Sequence, residues 1–328
     1  MDTQSVSRNM AERMDLPFVG LATFAGQPAC TDWDQLDGAD VAVLGIPIDT
    51  ASSYRVGTRF GPRSIHEVST FHGFGPEGAF DFEDEVTYLT AAEVKIVDAG
   101  DSDVIYADTK RSLANAELAV RALLDAKVMP YILGGDHSIT MATVAAYSNQ
   151  KPIDIVHLDA HFDFIDGRSG VTWGHGSPMR RASEMTHVKG ITTLGPRNMA
   201  SVSKKDYKAA KAYGTHVVPL RKFRAVGARA ALAHIPDGER VYVSIDIDSF
   251  DPSIAPGTAT ISHGGFTYYE AKDLLREVAK RFDVVGVDFV EVSPPYDPSG
   301  ITSLLAARAS LDFIGSIFHE RARRRDRS

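Results

Sequence analysis

The stretch Ile153-Asp154-Ile155-Val156-His157-Leu158-Asp159-Ala160-His161-Phe162-Asp163 decides the fold. Its first six residues are a short apolar, β-branched run, the pattern of a strand covered on both faces, and ionisable side chains crowd in where the run ends. If strand geometry persists that far, a period of two puts Asp159, His161 and Asp163 on one side. Three ionisable groups on one face of a doubly covered strand are costly without a counter-charge, and a metal supplies one. His157 has the same parity but lies deeper, so it reads as a core histidine with a hydrogen-bond partner.

Seven similar runs surround this one: Val41 to Pro47, Val94 to Asp98, Val128 to Leu133, Ile191 to Leu194, His216 to Leu220, Val241 to Asp248 and Val284 to Val292. Segments of helical period lie between many of them, at Ser112 to Ala126, Lys204 to Tyr213 and Ala225 to His234. Thr267-Tyr268-Tyr269-Glu270 has capping-box spacing and starts a further helix running to about Arg281. Strands alternating with helices predict an α/β protein with a parallel sheet covered by helices. No linker divides the chain, which reads as a single domain over residues 1–328, with a polar N-terminal extension to about residue 15 and a basic, solvated C-terminal tail over about 320–328.

Two more clusters stand at predicted strand ends, where open α/β sheets bind ligands. Gly134-Gly135-Asp136-His137-Ser138 allows a tight turn that leaves His137 at the strand mouth, with the next helix starting near Ser138. In Ser244-Ile245-Asp246-Ile247-Asp248-Ser249-Phe250-Asp251-Pro252, Asp246 and Asp248 again share a face, while Asp251 before Pro252 suits a turn. The three clusters supply two histidines and four aspartates, a set suited to hard or borderline divalent metals. Four aspartates carry four negative charges, so two divalent ions neutralise what one leaves half-compensated; a dinuclear site follows.

Composition narrows the rest. Hydrophobic residues make up 44% and charged residues 24%, which excludes disordered and collagen-like chains. Cys30 is the single cysteine, so a metal site must use histidine and carboxylates. The formal charge of −8 argues against nucleic acid and mildly favours a cationic small molecule. No run approaches the roughly 18 consecutive apolar residues of a membrane span, and the start lacks a signal-peptide pattern; the expected location is cytoplasmic, without a membrane partner.

These residues resemble the ureohydrolase family, the arginase and agmatinase enzymes, and the agmatinase-like branch in particular. The resemblance runs from Ser53-Tyr54-Arg55-Val56-Gly57-Thr58-Arg59-Phe60-Gly61-Pro62-Arg63 through the three clusters to Glu291-Val292-Ser293-Pro294-Pro295-Tyr296-Asp297. It implies a three-layer α/β/α sandwich with an eight-stranded parallel sheet, and two divalent ions, manganese first and nickel as the alternative. By that match His137 and Asp163 bind one ion, His161 and Asp248 the other, and Asp159 and Asp246 bridge them. His175, in Gly174-His175-Gly176, resembles the histidine that protonates the departing amine, and Glu291 the carboxylate that pairs with the substrate guanidinium. An idle loop histidine and an ordinary strand-end charge are the plainer alternatives. His66, His72, His187, His216, His234 and His319 read mostly as surface or capping residues. Trimers or hexamers of this chain are implied.

The chain departs from the agmatinase pattern at Phe162, where that branch usually has threonine, at Phe164, and at Gly257-Thr258-Ala259-Thr260-Ile261-Ser262-His263-Gly264-Gly265. Phe164, Trp173 and His263 are candidates for a partly aromatic wall at the substrate mouth, with plain core packing the default for each. The leading expectation is hydrolysis of a guanidino compound to urea and an amine, agmatine first, then guanidinobutyrate, free guanidine and alkylated guanidines or biguanides. A single-zinc deacetylase and a non-catalytic subunit of an active paralogue are the alternatives. The six ligands argue against the first, and the loss of none of them against the second.

Overall fold

The computed structural model describes residues 16–36 and 38–325, so the expected N-terminal extension lies outside the described residues. Eight strands form one parallel sheet: β1 Val41–Ile46, β4 Ile96–Asp101, β5 Met129–Gly134, β6 Ile153–Leu158, β7 Val188–Leu194, β8 His216–Val218, β9 Arg240–Asp246 and β10 Asp283–Val290, in the order β4-β1-β5-β10-β9-β6-β7-β8. A small antiparallel pair, β2 Ala79–Asp81 with β3 Val86–Tyr88, was not expected, because three-residue strands leave too little periodicity to read.

Helices α1 Gly61–Ser69, α6 Leu220–Ala231, α7 Tyr268–Arg281 and α8 Ile301–Arg325 contribute to the core on one face of the sheet. Helices α2 Thr109–Asp125, α3 Ile139–Ala145, α4 Pro178–Ala182 and α5 Lys204–Tyr213 cover the other. Strand residues alternate between the two cores, Val41 and Val43 on one side and Ala42 and Leu44 on the other, which makes three layers. The capping box forms as expected, Thr267 accepting from the Glu270 N–H while Glu270 accepts from that of Thr267; such caps stabilise a helix by about 1 kcal/mol.

Three expectations change. Helix α6 starts at Leu220 rather than Ala225, since Pro219 sets its N-cap, and it kinks at Gly227 (φ 77°). The basic tail is not solvated as far as Arg325: it is the last turn of α8. There Arg321 donates to the Val284 carbonyl at 2.7 Å, and Arg324 to the Ala279, Lys280 and Phe282 carbonyls that end α7. Lastly, α8 is long and apolar enough in composition to cross a membrane, yet 72% of its apolar window is buried inside the protein, where it serves as a core helix.

Candidate metal centre

The chemistry-bearing clusters are far apart in sequence and adjacent in space because β5, β10, β9 and β6 are neighbours in the middle of the sheet. Their carboxyl ends deliver His137, Glu291, Asp246 and Asp159 to one spot. Gly135 is obligatory at the first turn, since a Cβ there would lie 1.8 Å from the Ile48 carbonyl oxygen. That contact lets Asp136 N–H donate to Ile48 at 2.7 Å and sets the start of α3.

Strand geometry does not carry the second and third clusters onto one face, contrary to expectation. Strand β6 ends at Leu158, and Asp163 returns to the cluster with a left-handed backbone (φ 47°). Strand β9 ends at Asp246, after which the 3₁₀ turn Ile247–Ser249 folds Asp248 back so that its N–H donates to Asp246 Oδ1 at 2.7 Å. The turns converge the carboxylates more tightly than alternation would.

All six residues meet. His137 Nδ1 lies 3.0 Å from Asp163 Oδ2, 3.0 Å from Asp246 Oδ2 and 3.3 Å from Asp159 Oδ2. His161 Nδ1 lies 3.1 Å from Asp248 Oδ2 and 3.3 Å from Asp159 Oδ1. Asp159 thus turns one oxygen to each histidine. Two overlapping groups have ligand atoms within 4.8 Å of one another: His137, His157, Asp159 and Asp163, and Asp159, His161 and Asp248. His157 is nonetheless engaged as a core residue, with Nε2 2.8 Å from Asp159 Oδ2 and Nδ1 3.3 Å from Thr193 Oγ1.

As protein groups alone the cluster is over-charged. Burial, then Asp248 and Asp159, push the Asp246 carboxyl well above its ordinary range. Burial opposes a charged His161, yet Asp248 and Asp159 outweigh it and carry that imidazole up to about 12. Converging buried carboxylates that drive neighbouring groups to hold protons are a donor set fitted to divalent cations.

His175 and Glu291 sit beside this set. Glu291, 1% exposed and left-handed (φ 66°), accepts through Oε1 from the His137 N–H at 3.0 Å and pairs with His175 Nδ1 at 3.0 Å. Its other oxygen, Oε2, is buried with no hydrogen-bond partner. In the neutral ring Nε2 accepts from the Ser53 N–H at 3.2 Å and Nδ1 donates to Glu291; in the protonated ring Nε2 donates instead to Ser53 Oγ at 2.9 Å. Burial disfavours the imidazolium, but Glu291, Asp136 and Asp163 raise its pKa to about 9. A cavity of about 200 Å³ opens over these groups, lined also by Phe162, Phe164 and Thr260.

Of the three aromatic candidates for the mouth, Phe164 lines the cavity and Trp173 and His263 do not. Trp173 lies under Lys110, whose Nζ is 3.9 Å from the ring centroid, and the His263 carbonyl accepts from Arg197 Nε at 3.0 Å. Arg197 itself escaped sequence reading: it also donates to the Asp248 and Ser262 carbonyls at 2.7 and 2.6 Å, clamping two loops behind the cluster. Only its position just past the apolar run Ile191 to Leu194 hinted at it. Asp251 makes the expected turn, accepting from Ser253, Gly264 and Gly265. His66 and His187 prove to be buried, not surface, residues: His66 contacts Asp98, and His187 bonds the Val144 carbonyl.

Residues 39–315 match the arginase family. The chain is similar to guanidinopropionase of Pseudomonas aeruginosa, 33% identical over 315 residues that cover 93% of this chain and 94% of that one. It is also similar to agmatinase of Bacillus anthracis, 34% identical over 289 residues covering 87% and 94%. Its fold matches the solved structure of proclavaminate amidinohydrolase from Streptomyces clavuligerus with a TM-score of 0.81 at 34% identity, covering 93% of this chain and 99% of that chain. Arginase-family enzymes use a binuclear divalent metal centre, which the buried His/Asp cluster fits. Because the match runs from β1 into α8 and takes in the whole cluster at the sheet's carboxyl edge, the chain belongs to the arginase family and is a ureohydrolase.

Proposed function

We propose that the chain hydrolyses a small guanidino compound to urea and an amine. His137 and Asp163 would hold one divalent ion, His161 and Asp248 a second, and Asp159 and Asp246 both. Ions held there neutralise the four carboxylates and bring the pKa of a water down towards about 7. Manganese is the leading metal and nickel the alternative, since nitrogen and oxygen donors suit both.

The observation that carries this reading is Glu291 Oε2, a buried carboxylate oxygen without a donor beside the cavity. An unpaired buried acceptor is costly, and a guanidinium N–H satisfies it with a charge-assisted bond. Oε1 is already tied to the His137 N–H and to His175, so the carboxylate is fixed before substrate arrives. His175, whose protonated form Glu291 stabilises, supplies a proton to the departing nitrogen, with the Ser53 hydroxyl 2.9 Å from Nε2 as its neighbour.

The test is urea release from a panel of agmatine, 3-guanidinopropionate, 4-guanidinobutyrate and guanidine, using protein stripped of metal and reloaded with manganese or nickel, beside an acetylated lysine. Urea from any guanidino compound is the expected result. Amide hydrolysis without urea from the panel overturns the reading.

A further inference from the structure

The lining of the cavity grades with exposure: its buried part holds the carboxylates of Asp163, Asp246 and Glu291 with the imidazoles of His161 and His175, Phe162, Ile165 and Val202 are apolar, and Arg168 is exposed. Arg168 is placed by a two-residue hairpin turn. Its N–H donates to the Val171 carbonyl at 2.9 Å, the Val171 N–H donates back at 2.9 Å, and Ser169 (φ 52°) and Gly170 (φ 81°) both take left-handed conformations. That pair is the signature of a type I′ turn, the tightest connection a ribbon can have. The turn fixes the backbone from which the exposed Arg168 side chain projects.

Among the described residues no carboxylate forms an ion pair with the Arg168 guanidinium. Asp166, the acid nearest to it in sequence, is taken by Arg181 at 2.8 Å and Arg180 at 3.7 Å. Ala200 and Ser201, which also line the cavity, are neutral. Arg168 thus brings a cation without a carboxylate partner to the cavity that Glu291 also lines.

We infer that Arg168 selects the tail of the substrate, and that this tail is a carboxylate: the preferred substrate is a linear ω-guanidino acid, not a guanidino amine. The inference rests on the guanidino-hydrolase reading above and narrows it. A zwitterion of that kind places its guanidinium on Glu291, its methylenes along Phe162 and Val202, and its carboxylate on the planar, multidentate guanidinium of Arg168. An amine-tailed substrate would set an ammonium against the same group, like charge facing like. In the reaction water adds at the guanidinium carbon, the bond from that carbon to the chain nitrogen breaks, and that nitrogen takes up a proton. Urea and an ω-amino acid leave.

The experiment compares kcat/KM for 4-guanidinobutyrate and 3-guanidinopropionate with that for agmatine in metal-loaded wild type, Arg168→Gln, Arg168→Lys and Arg168→Glu, with metal content and Tm as folding controls. Wild type should prefer the better acid by tenfold or more. Arg168→Gln should lower kcat/KM for that acid by about ten- to a hundredfold, mainly through KM, because a contact remote from the reacting carbon contributes equally to ground and transition states. Arg168→Lys should recover part of the preference, and Arg168→Glu should invert the ratio in favour of agmatine. Wild type that prefers agmatine, or an acid-to-amine ratio that stays the same in the Gln and Glu variants, overturns the assignment while leaving the hydrolase reading intact. Absence of urea from every guanidino compound fails that reading instead, and this one with it.

Discussion

Asp49 and Asp246 leave the same sheet at the same edge and meet opposite surroundings. Asp49, 1% exposed just beyond β1, accepts from the Gly57 N–H at 2.8 Å and from Arg59 Nε at 2.6 Å, and Arg59 also closes an ion pair on it. Burial alone would raise its pKa; the Arg59 and Gly57 hydrogen bonds outweigh that and hold the carboxyl below its ordinary range. Asp246, 3% exposed at the end of β9, faces Asp159 and Asp248 instead and is pushed the other way. A buried carboxylate provided with a cation from its own chain is part of the scaffold. One that meets further carboxylates, with the shared His137 beside it, has more negative charge around it than its own chain balances, and in the proposed reading the remaining counter-charge comes from bound ions.

The largest effect should come from removing a charge on the over-charged side. Under the proposed ligand assignment Asp246→Asn takes one negative charge from between two cations, so metal analysis should show loss of bound metal and urea release should fall to background, with the far-UV spectrum unchanged. A fully active variant would break the contrast. Next come the groups flanking the cluster. His175→Ala should reduce turnover by roughly 10²–10⁴-fold with normal metal content, and Glu291→Gln should cut catalytic efficiency with both metals retained. Loss of metal from either would make it a support of the cluster rather than part of the chemistry.

Chelation should then destabilise the whole protein. Ions present at a hundred to a thousand times their Kd stabilise the folded state by about 3–4 kcal/mol, so stripped protein should melt several degrees lower and recover on reloading.

The smallest effect should be at Asp49. Asp49→Asn loses charge-assisted bonds to a half-exposed arginine, worth about 1–2 kcal/mol in a denaturant titration, with metal and turnover kept. The pH dependence has a fixed sign. A carboxylate whose folded pKa is lowered contributes stability that is fully present above its unfolded value, near 3.8, and is lost as pH falls through the folded value. In chelator, to exclude metal release, wild type should lose stability more steeply below about pH 4 than the asparagine variant.

The eight strands were readable because each is a short apolar run bounded by turn residues, and Ile153 to Leu158 carries its strand to the residue. The six clustered residues were readable because acids and histidines gather where such runs stop. Pairings between side chains far apart in sequence were less accessible. Nothing local to Ser53 says that its N–H will meet His175 across 122 residues, and Arg197 looks like any loop arginine until six carbonyls are seen to converge on it. The contrast between Asp49 and Asp246 was hidden for the same reason: both follow apolar strands, and only the fold shows which has an arginine. Trp173 and His263, candidates for the mouth with core packing as the default, take neither place, because aromatic character does not name the neighbour, here Lys110 for one and an exposed loop for the other.

Strand β10 carries a consequence for how the molecule is made. It is the last strand in the chain, yet it lies in the middle of the sheet between β5 and β9. Until Asp283–Val290 has emerged from the ribosome, β4-β1-β5 and β9-β6-β7-β8 are two separate half-sheets, each with an open edge where β10 belongs. Such edges pair readily with other chains, and long-range strand insertion is slow. Nascent chains stalled before residue 283 should therefore aggregate or recruit chaperones, whereas release of the full chain lets one central strand join both halves and bring Glu291 to His137 in the same step.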